Sequence, residues 1–321
     1  MPSVLITGGA GFIGSHLAER LLREGRRVRV LDNLDPFYDP AQKRRNLAEL
    51  AAAGGARFEF LQGDLRDAAA CRQAVAGCGV VVHLAALAGV RPSIQDPVRY
   101  WDVNLLGTQV LLQQIEAKDT VLVLGGSSSV YGGNRKVPFA ESDPVDAPIS
   151  PYAATKRACE LQCHAWHHLR GNPVACLRFF TVYGPRQRPE MAIHQFARLI
   201  TDGQPIPFFG DGSSRRDYTY VDDITAGIRA AMTPPRPYAI YNLGGAATTS
   251  LAELVAQLER ALGKRANLNR LPDQAGDVPI THADVSLAGR ELGYRSSTPI
   301  AVGIDRFCAW YQREKREGRL P

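Results

Sequence analysis

The stretch "VLITGGAGFIGSH", residues 4–16, joins a short apolar run to an amphipathic one through three spaced glycines, Gly8, Gly11 and Gly14. Val4-Leu5-Ile6 reads as a buried strand, and Phe12, Ile13, Leu17, Leu21 and Leu22 fall at helical spacing. A glycine triplet alone is weak, because glycines also make ordinary turns. Set between a strand and a helix, with a second apolar run at Arg27–Leu31, the triplet has a physical use. The glycines permit a tight turn, close backbone approach to a pyrophosphate and close helix–strand packing, and the helix N-terminus turns unpaired N–H groups towards phosphate. Gly8, Gly11, Phe12, Ile13 and Gly14 are the candidate contacts. Asp32 ends the second run, where a carboxylate would bond both ribose hydroxyls of NAD and repel the 2′-phosphate of NADP; Asn33 stands beside it.

The alternation continues. Apolar runs at Ser3–Thr7, Arg27–Leu31, Arg57–Leu61, Val80–Leu84, Thr120–Leu124 and Val174–Phe179 are separated by helical patterns at Phe12–Glu24, Pro40–Ala53, Asp67–Ala76, Pro97–Glu116 and Pro151–Leu169. Continuous Val/Leu/Ile runs indicate strands buried on both faces. The pattern predicts an α/β fold, a Rossmann-type doubly wound parallel sheet. After about residue 180, Pro and Gly punctuate the chain, and helices near 190–202, 221–232 and 250–262 alternate with short strands. The expected organisation is a dinucleotide unit over 1–180, with a segment near 219–245 returning to the sheet. A smaller mixed α/β substrate unit is expected over 181–218 and 246–321.

Composition narrows the class. Of 321 residues, 45% are hydrophobic and 22% charged, as in soluble globular chains. No apolar run approaches the ~20 residues of a membrane helix, and the N-terminus carries no signal-peptide pattern. Six scattered cysteines show no zinc-type pairing, so reduced, buried thiols in a cytoplasmic protein are expected. The net charge of +6 suits anionic partners, and with no long basic run it fits phosphorylated small molecules as well as nucleic acid.

Tyr152 and Lys156, four apart in "YAATK", lie one helical turn apart on one face. Together with "TGGAGFIG", "GDL" (Gly63–Leu65), "HLAA" (His83–Ala86) and "GGSSSVYG" (Gly125–Gly132), the chain resembles the extended short-chain dehydrogenase/reductase superfamily over nearly its whole length. The resemblance implies Tyr152 as the general base that takes a hydroxyl proton while NAD accepts hydride from the same carbon. A free phenol titrates near 10, and bringing one to about 7 takes roughly 4 kcal/mol, which a neighbouring ammonium such as Lys156 can supply. It also implies cofactor contacts from Asp64, Leu65, Leu84, Ala85 and Ala86, with Asn104 of "DVN" in the cofactor shell.

"RDYTYVDD" (Arg216–Asp223) and "AGDVP" (Ala275–Pro279) resemble the segments with which nucleotide-sugar epimerases and dehydratases hold the diphosphate and nucleotide ribose. Arg216 and Asp277 carry that implication, and the expected partner is a UDP-sugar. Ser127 matches the hydroxyl that bonds the reacting sugar oxygen. Dehydratase relatives carry an Asp-Glu pair just beyond it and decarboxylases a Glu, acids needed at a second carbon; this chain has Ser128 and Ser129. Segments 32–47, 88–108 and 181–196 are similar to those of UDP-glucuronate 4-epimerases, which implies a sugar-side set of Arg91, Ser93, Ser127, Ser128, Ser129, Thr181 and Arg188. Gly125-Gly126 depart from the family pattern, with no sequence-level reason.

Alternatives stay open at this level. UDP-glucose or UDP-N-acetylhexosamine epimerisation, UDP-glucuronate decarboxylation and a non-enzymatic NAD sensor share most of these residues. Cys159, Cys163, His164, His167 and His168 crowd one helix, but core or interface roles fit better than metal, and no metal ligand set is expected. The family implies a homodimer through helices near 97–116 and 151–169, with neither nucleic acid nor membrane as partner.

Overall fold

The computed structural model of the protein describes residues 3–245, 247–272 and 278–320. Seven parallel strands form the central sheet: β1 (Ser3–Thr7), β2 (Val28–Asp32), β3 (Phe58–Gln62), β4 (Cys78–His83), β5 (Val121–Ser127), β6 (Val174–Phe179) and β7 (Tyr238–Leu243). Their order is β3-β2-β1-β4-β5-β6-β7. The order reverses direction between β1 and β4, and at such a switch point the carboxyl ends of the strands leave a crevice. This is the Rossmann-like α/β fold.

The continuous apolar runs are explained by burial on both faces. Val4 and Ile6 point into one core with Leu17 and Leu21 of helix α1 (Phe12–Arg23), while Leu5 between them points into the other with Val81, Leu122 and Leu124. Helices α2 (Pro40–Gly54) and α3 (Ala68–Val75) follow, and the long helix α4 (Pro151–Arg170) precedes β6. Ser150 caps α4 by accepting from the Ala153 amide, Pro151 occupies its first turn, and Gly171 closes it at φ +79°. All six cysteines are buried and free. Cys159 and Cys163 of α4 pack with Cys176 of β6 as core residues.

Two stretches differ from the sequence expectation. The single helix expected over 97–116 is an α-turn (Pro97–Tyr100), a π-helical stretch (Trp101–Leu106) and an α-segment (Gly107–Gln113). Widened turns of this kind are rare and frequent at functional sites, and this one carries the buried Asn104. β5 also runs three residues past the expected Leu124 to Ser127. A Cβ on Gly125 would stand 2.8 Å from Leu84 Cδ2, and one on Gly126 would stand 2.8 Å from the Leu177 carbonyl oxygen. Close packing thus leaves no room for a side chain against the backbone at Gly126, whereas at Gly125 the nearest neighbour is the end of a flexible side chain.

Beyond β6 the chain makes short paired strands, Thr181–Tyr183 with Tyr218–Tyr220, Arg215–Arg216 with Thr249–Ser250, and Pro205–Phe209 with Asn267–Leu271. Helices Ala192–Thr201, Val221–Ala231, Leu251–Leu262, Ser286–Leu292 and Ile300–Arg316 accompany them. A buried polar network ties this part to the sheet. Arg178 of β6 donates to both carboxylate oxygens of Glu160 on α4, each at 2.9 Å, and at 3.0 Å to the Tyr131 hydroxyl. Tyr131 donates onward to Asn242 of β7 at 2.7 Å, whose amide reaches the carbonyls of Phe139 and Asp284. Full pairing makes so buried a charge tolerable. Among the described residues, no helix is long and apolar enough to cross a membrane.

Candidate active site

A cleft of about 360 Å³ opens at the carboxyl ends of β1, β2, β4 and β5, under a roof formed by segments 35–43 and 180–191. Its floor is the glycine turn. Gly8 adopts φ +70°, and a Cβ there would lie 2.8 Å from the Ala85 nitrogen; a Cβ on Gly14 would lie 2.7 Å from Gly9 Cα. A Cβ on Gly11 would meet the Gly8 oxygen at 3.2 Å and then, as its next neighbour, Tyr38 Oη at 3.7 Å. Gly11 thus leaves its open side to the cleft, in front of an α1 N-terminus that no side chain caps. This is a cradle for an anion held by backbone N–H groups.

On the β2 side, Asp32 is 6% exposed and accepts from the amides of Ala10 (3.1 Å) and Leu34 (2.9 Å). Burial pushes its pKa up from the usual carboxylate value. Asp64 accepts from Arg66 Nε and Nη2 at 2.8 and 2.9 Å and from the Asn33 amide at 2.9 Å. The Arg66 hydrogen bonds hold its carboxyl well below the carboxylate range. Leu65, Leu84, Ala85 and Ala86 complete this wall. A ribose-reading carboxylate beside an anion cradle is the donor and acceptor set a dinucleotide needs, so the residues fit that group.

The opposite wall holds the reactive side chains. Tyr152 and Lys156 of α4 both line the cleft, and Lys156 is 6% exposed. Ser127 ends β5 with its hydroxyl donating to Ser129 Oγ at 3.1 Å and accepting from the Ser129 amide at 3.2 Å. Ser128, Ser129 and Thr181 line the same space. Arg188 enters from the roof, paired with Glu190 at 2.9 Å and with its guanidinium 5.7 Å from the Phe37 ring centroid. Below them, His83 is fully buried between the hydroxyls of Thr7 (2.7 Å) and Thr108 (2.9 Å). Burial, then the Lys156 charge, lowers its pKa to about 3.

Four of the sequence candidates lie off the cleft wall. Ser93 sits on a short helix (Val90–Gln95) with no exposed surface; it accepts from the Tyr152 amide at 3.1 Å and donates to the Val90 carbonyl. It supports the Tyr152 backbone, because the loop after β4 coils into a helix that turns the hydroxyl inwards. Asn104, 2% exposed, exchanges hydrogen bonds with the Leu87 backbone and donates to Thr155 Oγ1. Its amide braces the wall at Leu87 from behind the cleft surface. Arg91 is exposed on the same short helix as Ser93. Arg216, half-buried, donates to the Arg215 carbonyl. Asp277 lies outside the described residues. Conversely, Asp35, Phe37, Tyr38, Lys43 and Met191 line the cleft and were not singled out from sequence. The aromatic-Pro-Asp run "DPFYDP" is the signal that could have found the first three.

The family model described as "NAD dependent epimerase/dehydratase family" matches residues 4–244. A probable UDP-glucuronate 4-epimerase of Rhizobium meliloti is 40% identical, with 97% of each chain covered. Among solved structures, UDP-glucuronic acid 4-epimerase from Bacillus cereus, in complex with UDP-glucuronic acid and NAD, superposes with a TM-score of 0.91 at 34% identity; 97% of this chain and 99% of that one are covered. A dTDP-glucose 4,6-dehydratase from Streptomyces venezuelae, with NAD bound, superposes with a TM-score of 0.90, also at 34% identity, covering 98% of each chain.

Proposed function

The chain belongs to the NAD-dependent epimerase/dehydratase family, and from that premise we propose that it is a UDP-glucuronate 4-epimerase, interconverting UDP-glucuronate and UDP-galacturonate. One observation carries the choice within the family. The cleft brings Tyr152, Lys156 and Ser127 together with an arginine, Arg188, while serines stand at 128 and 129. An elimination needs an acid and a base at a second carbon, and two hydroxyls do not supply them. A guanidinium is the fitting partner for the carboxylate of an acid sugar.

NAD, when bound, supplies the acceptor and donor of hydride at sugar C4. Gly8, Gly11, Phe12, Ile13 and Gly14 would hold its diphosphate, and Asp32 the adenosine ribose, with Asn33, Asp64, Leu65, Leu84, Ala85 and Ala86 around the base. Tyr152 takes the proton from the C4 hydroxyl, with the Lys156 ammonium stabilising the phenolate, and returns it to the same oxygen after the sugar has turned over. Ser127 bonds that oxygen in both orientations. Because a 4-keto uronic acid is a β-keto acid, the carboxylate must be kept out of the geometry that releases CO2. Arg188, with Ser127 and Thr181, is assigned that restraint, with Ser128 and Ser129 on the same sugar side. Arg216 and Asp277 are assigned to the nucleotide.

A homodimer through the helices near 97–116 and 151–169 is supported by exposed apolar side chains on those stretches: Val98 is 76% exposed, Leu106 50%, Leu161 55% and Leu169 79%. A cytoplasmic setting is supported by six reduced thiols. We assign 1–180 to the dinucleotide unit, together with the returning segment near 219–245, and the remainder to the UDP-sugar. The test is incubation of purified protein with UDP-glucuronate, UDP-glucose and UDP-N-acetylglucosamine without added NAD. Expected is UDP-galacturonate from UDP-glucuronate, without CO2. Turnover of the neutral sugars alone, or CO2 release, overturns the assignment.

A further inference from the structure

Tyr38 stands in the connection between β2 and α2 and is 91% buried, being 9% exposed. Its hydroxyl has no hydrogen-bond partner among the described residues. Leaving a buried hydroxyl unpaired is unfavourable, and such groups in native proteins call for a reason. The position supplies one: Tyr38 lines the cleft, with Oη 3.7 Å from where a Cβ on Gly11 would be, directly over the open side of the glycine cradle. Burial, then the Asp32 charge, raises the phenol's pKa, so the group is a proton donor at any physiological pH.

The segment around it is fixed. Lys43 lies 4.8 Å from the Tyr38 ring centroid and donates to the Asp35 carbonyl at 2.9 Å. The Asp35 carboxylate accepts from Arg99 at 2.8 and 3.0 Å, and the Asn46 amide donates to Ala10 in the glycine turn at 2.9 Å. The first turn of α1, Phe12–Ser15, carries no cation. Of the described cleft-lining cations, Lys156 stands on the wall with Tyr152, Arg188 lies over Phe37 with its charge also felt at Tyr38, and Lys43 lies over the Tyr38 ring itself.

We propose that Tyr38 donates its hydroxyl to the diphosphate of NAD from the face opposite the α1 N-terminus, with the Lys43 ammonium behind its ring. The inference rests on the NAD reading above and deepens it. An enzyme that returns hydride to the same sugar keeps its cofactor between half-reactions, and Tyr38 closes the cradle that the glycines leave open.

The test compares wild type with Tyr38→Phe, both stripped of nucleotide, by calorimetric titration with NAD and ADP-ribose and by ligand-observed NMR with adenosine, which has no phosphate. The variant should bind NAD and ADP-ribose about ten- to a hundredfold more weakly, the loss expected for a hydrogen bond to a charged group. Adenosine binding and the unliganded melting temperature should be unchanged, since Phe keeps the ring and the hydroxyl has no protein partner. Equal NAD affinity in the two proteins overturns the proposal, as does a loss shared equally by adenosine. A wild type that binds no NAD overturns the cofactor reading itself.

Discussion

The Tyr152 amide donates to Ser93 Oγ at 3.1 Å, from the first turn of one helix to a serine enclosed in another. The remaining donors of that turn are also accounted for: Pro151 has none, Ala153 reaches Ser150 Oγ, and Ala154 reaches the Ser150 carbonyl. Helix starts leave such groups orphaned unless other residues supply acceptors. Here the acceptors fix the backbone that carries the candidate base.

Ser93→Ala should therefore lower kcat about tenfold, leave KM for the sugar nucleotide within about twofold, and destabilise the fold by about 1–3 kcal/mol, since two hydrogen bonds go and the Tyr152 amide is left unpaired. Steady-state kinetics and urea unfolding measure both. An unchanged kcat would show that the contact does not position Tyr152.

Gly126→Ala should destabilise by about 1–3 kcal/mol, as overpacking does, because the intruding methyl meets the backbone of Leu177 at 2.8 Å. Gly125→Ala should be milder, since its nearest neighbour is the end of the Leu84 side chain, which can rotate away. Equal losses in urea unfolding would contradict this ranking.

Arg188→Ala should raise KM for UDP-glucuronate about tenfold or more and that for UDP-glucose less than twofold, because only the acid sugar loses a charge-assisted partner. Competition kinetics with both substrates reads the ratio. Parallel losses would remove Arg188 from the carboxylate.

His83 predicts a pH dependence of stability. Its pKa is about 3 in the folded protein against 6.5 when free. Above pH 6.5 both states are neutral and stability is complete. As pH falls below 6.5, the unfolded imidazole takes up a proton that the folded one refuses, so stability declines by up to about 1.4 kcal/mol per pH unit. His16, lowered to about 4, acts in the same sense. The difference between wild type and His83→Asn in denaturant unfolding at pH 7, 6 and 5 isolates His83: the variant's slope should be shallower, and parallel curves would refute the assignment.

The glycine turn, the strand–helix alternation and the Tyr152/Lys156 pair were legible because each is written in local spacing. What stayed hidden depends on distant partners. Nothing in "GVRPSIQD" indicates that Ser93 turns inwards, and apolar periodicity does not reveal the π-helical stretch that carries Asn104. Arg178 reads as a stray charge in an apolar strand and Glu160 as a solvated helix residue until β6 and α4 bring them together. Tyr38 looks like an ordinary turn aromatic, and only the path of the connection to α2 puts it over Gly11. Gly125 and Gly126 became intelligible once Leu84 and Leu177 flanked them.

β7 pairs with β6 along its whole length, Tyr238–Leu243 against Val174–Phe179, yet is synthesised after much of the second half of the chain. While the protein leaves the ribosome, β6 therefore offers an unpaired parallel edge to its surroundings until residue 243 has emerged. Unpaired edges of this kind recruit other strands. A nascent chain stalled near residue 180 already holds the glycine cradle, Tyr152 and Lys156, but its sheet ends at β6 and lacks the β7 strand that forms the edge of the finished sheet. Which strand stands at that edge therefore changes during synthesis, in an order set by how the chain is threaded.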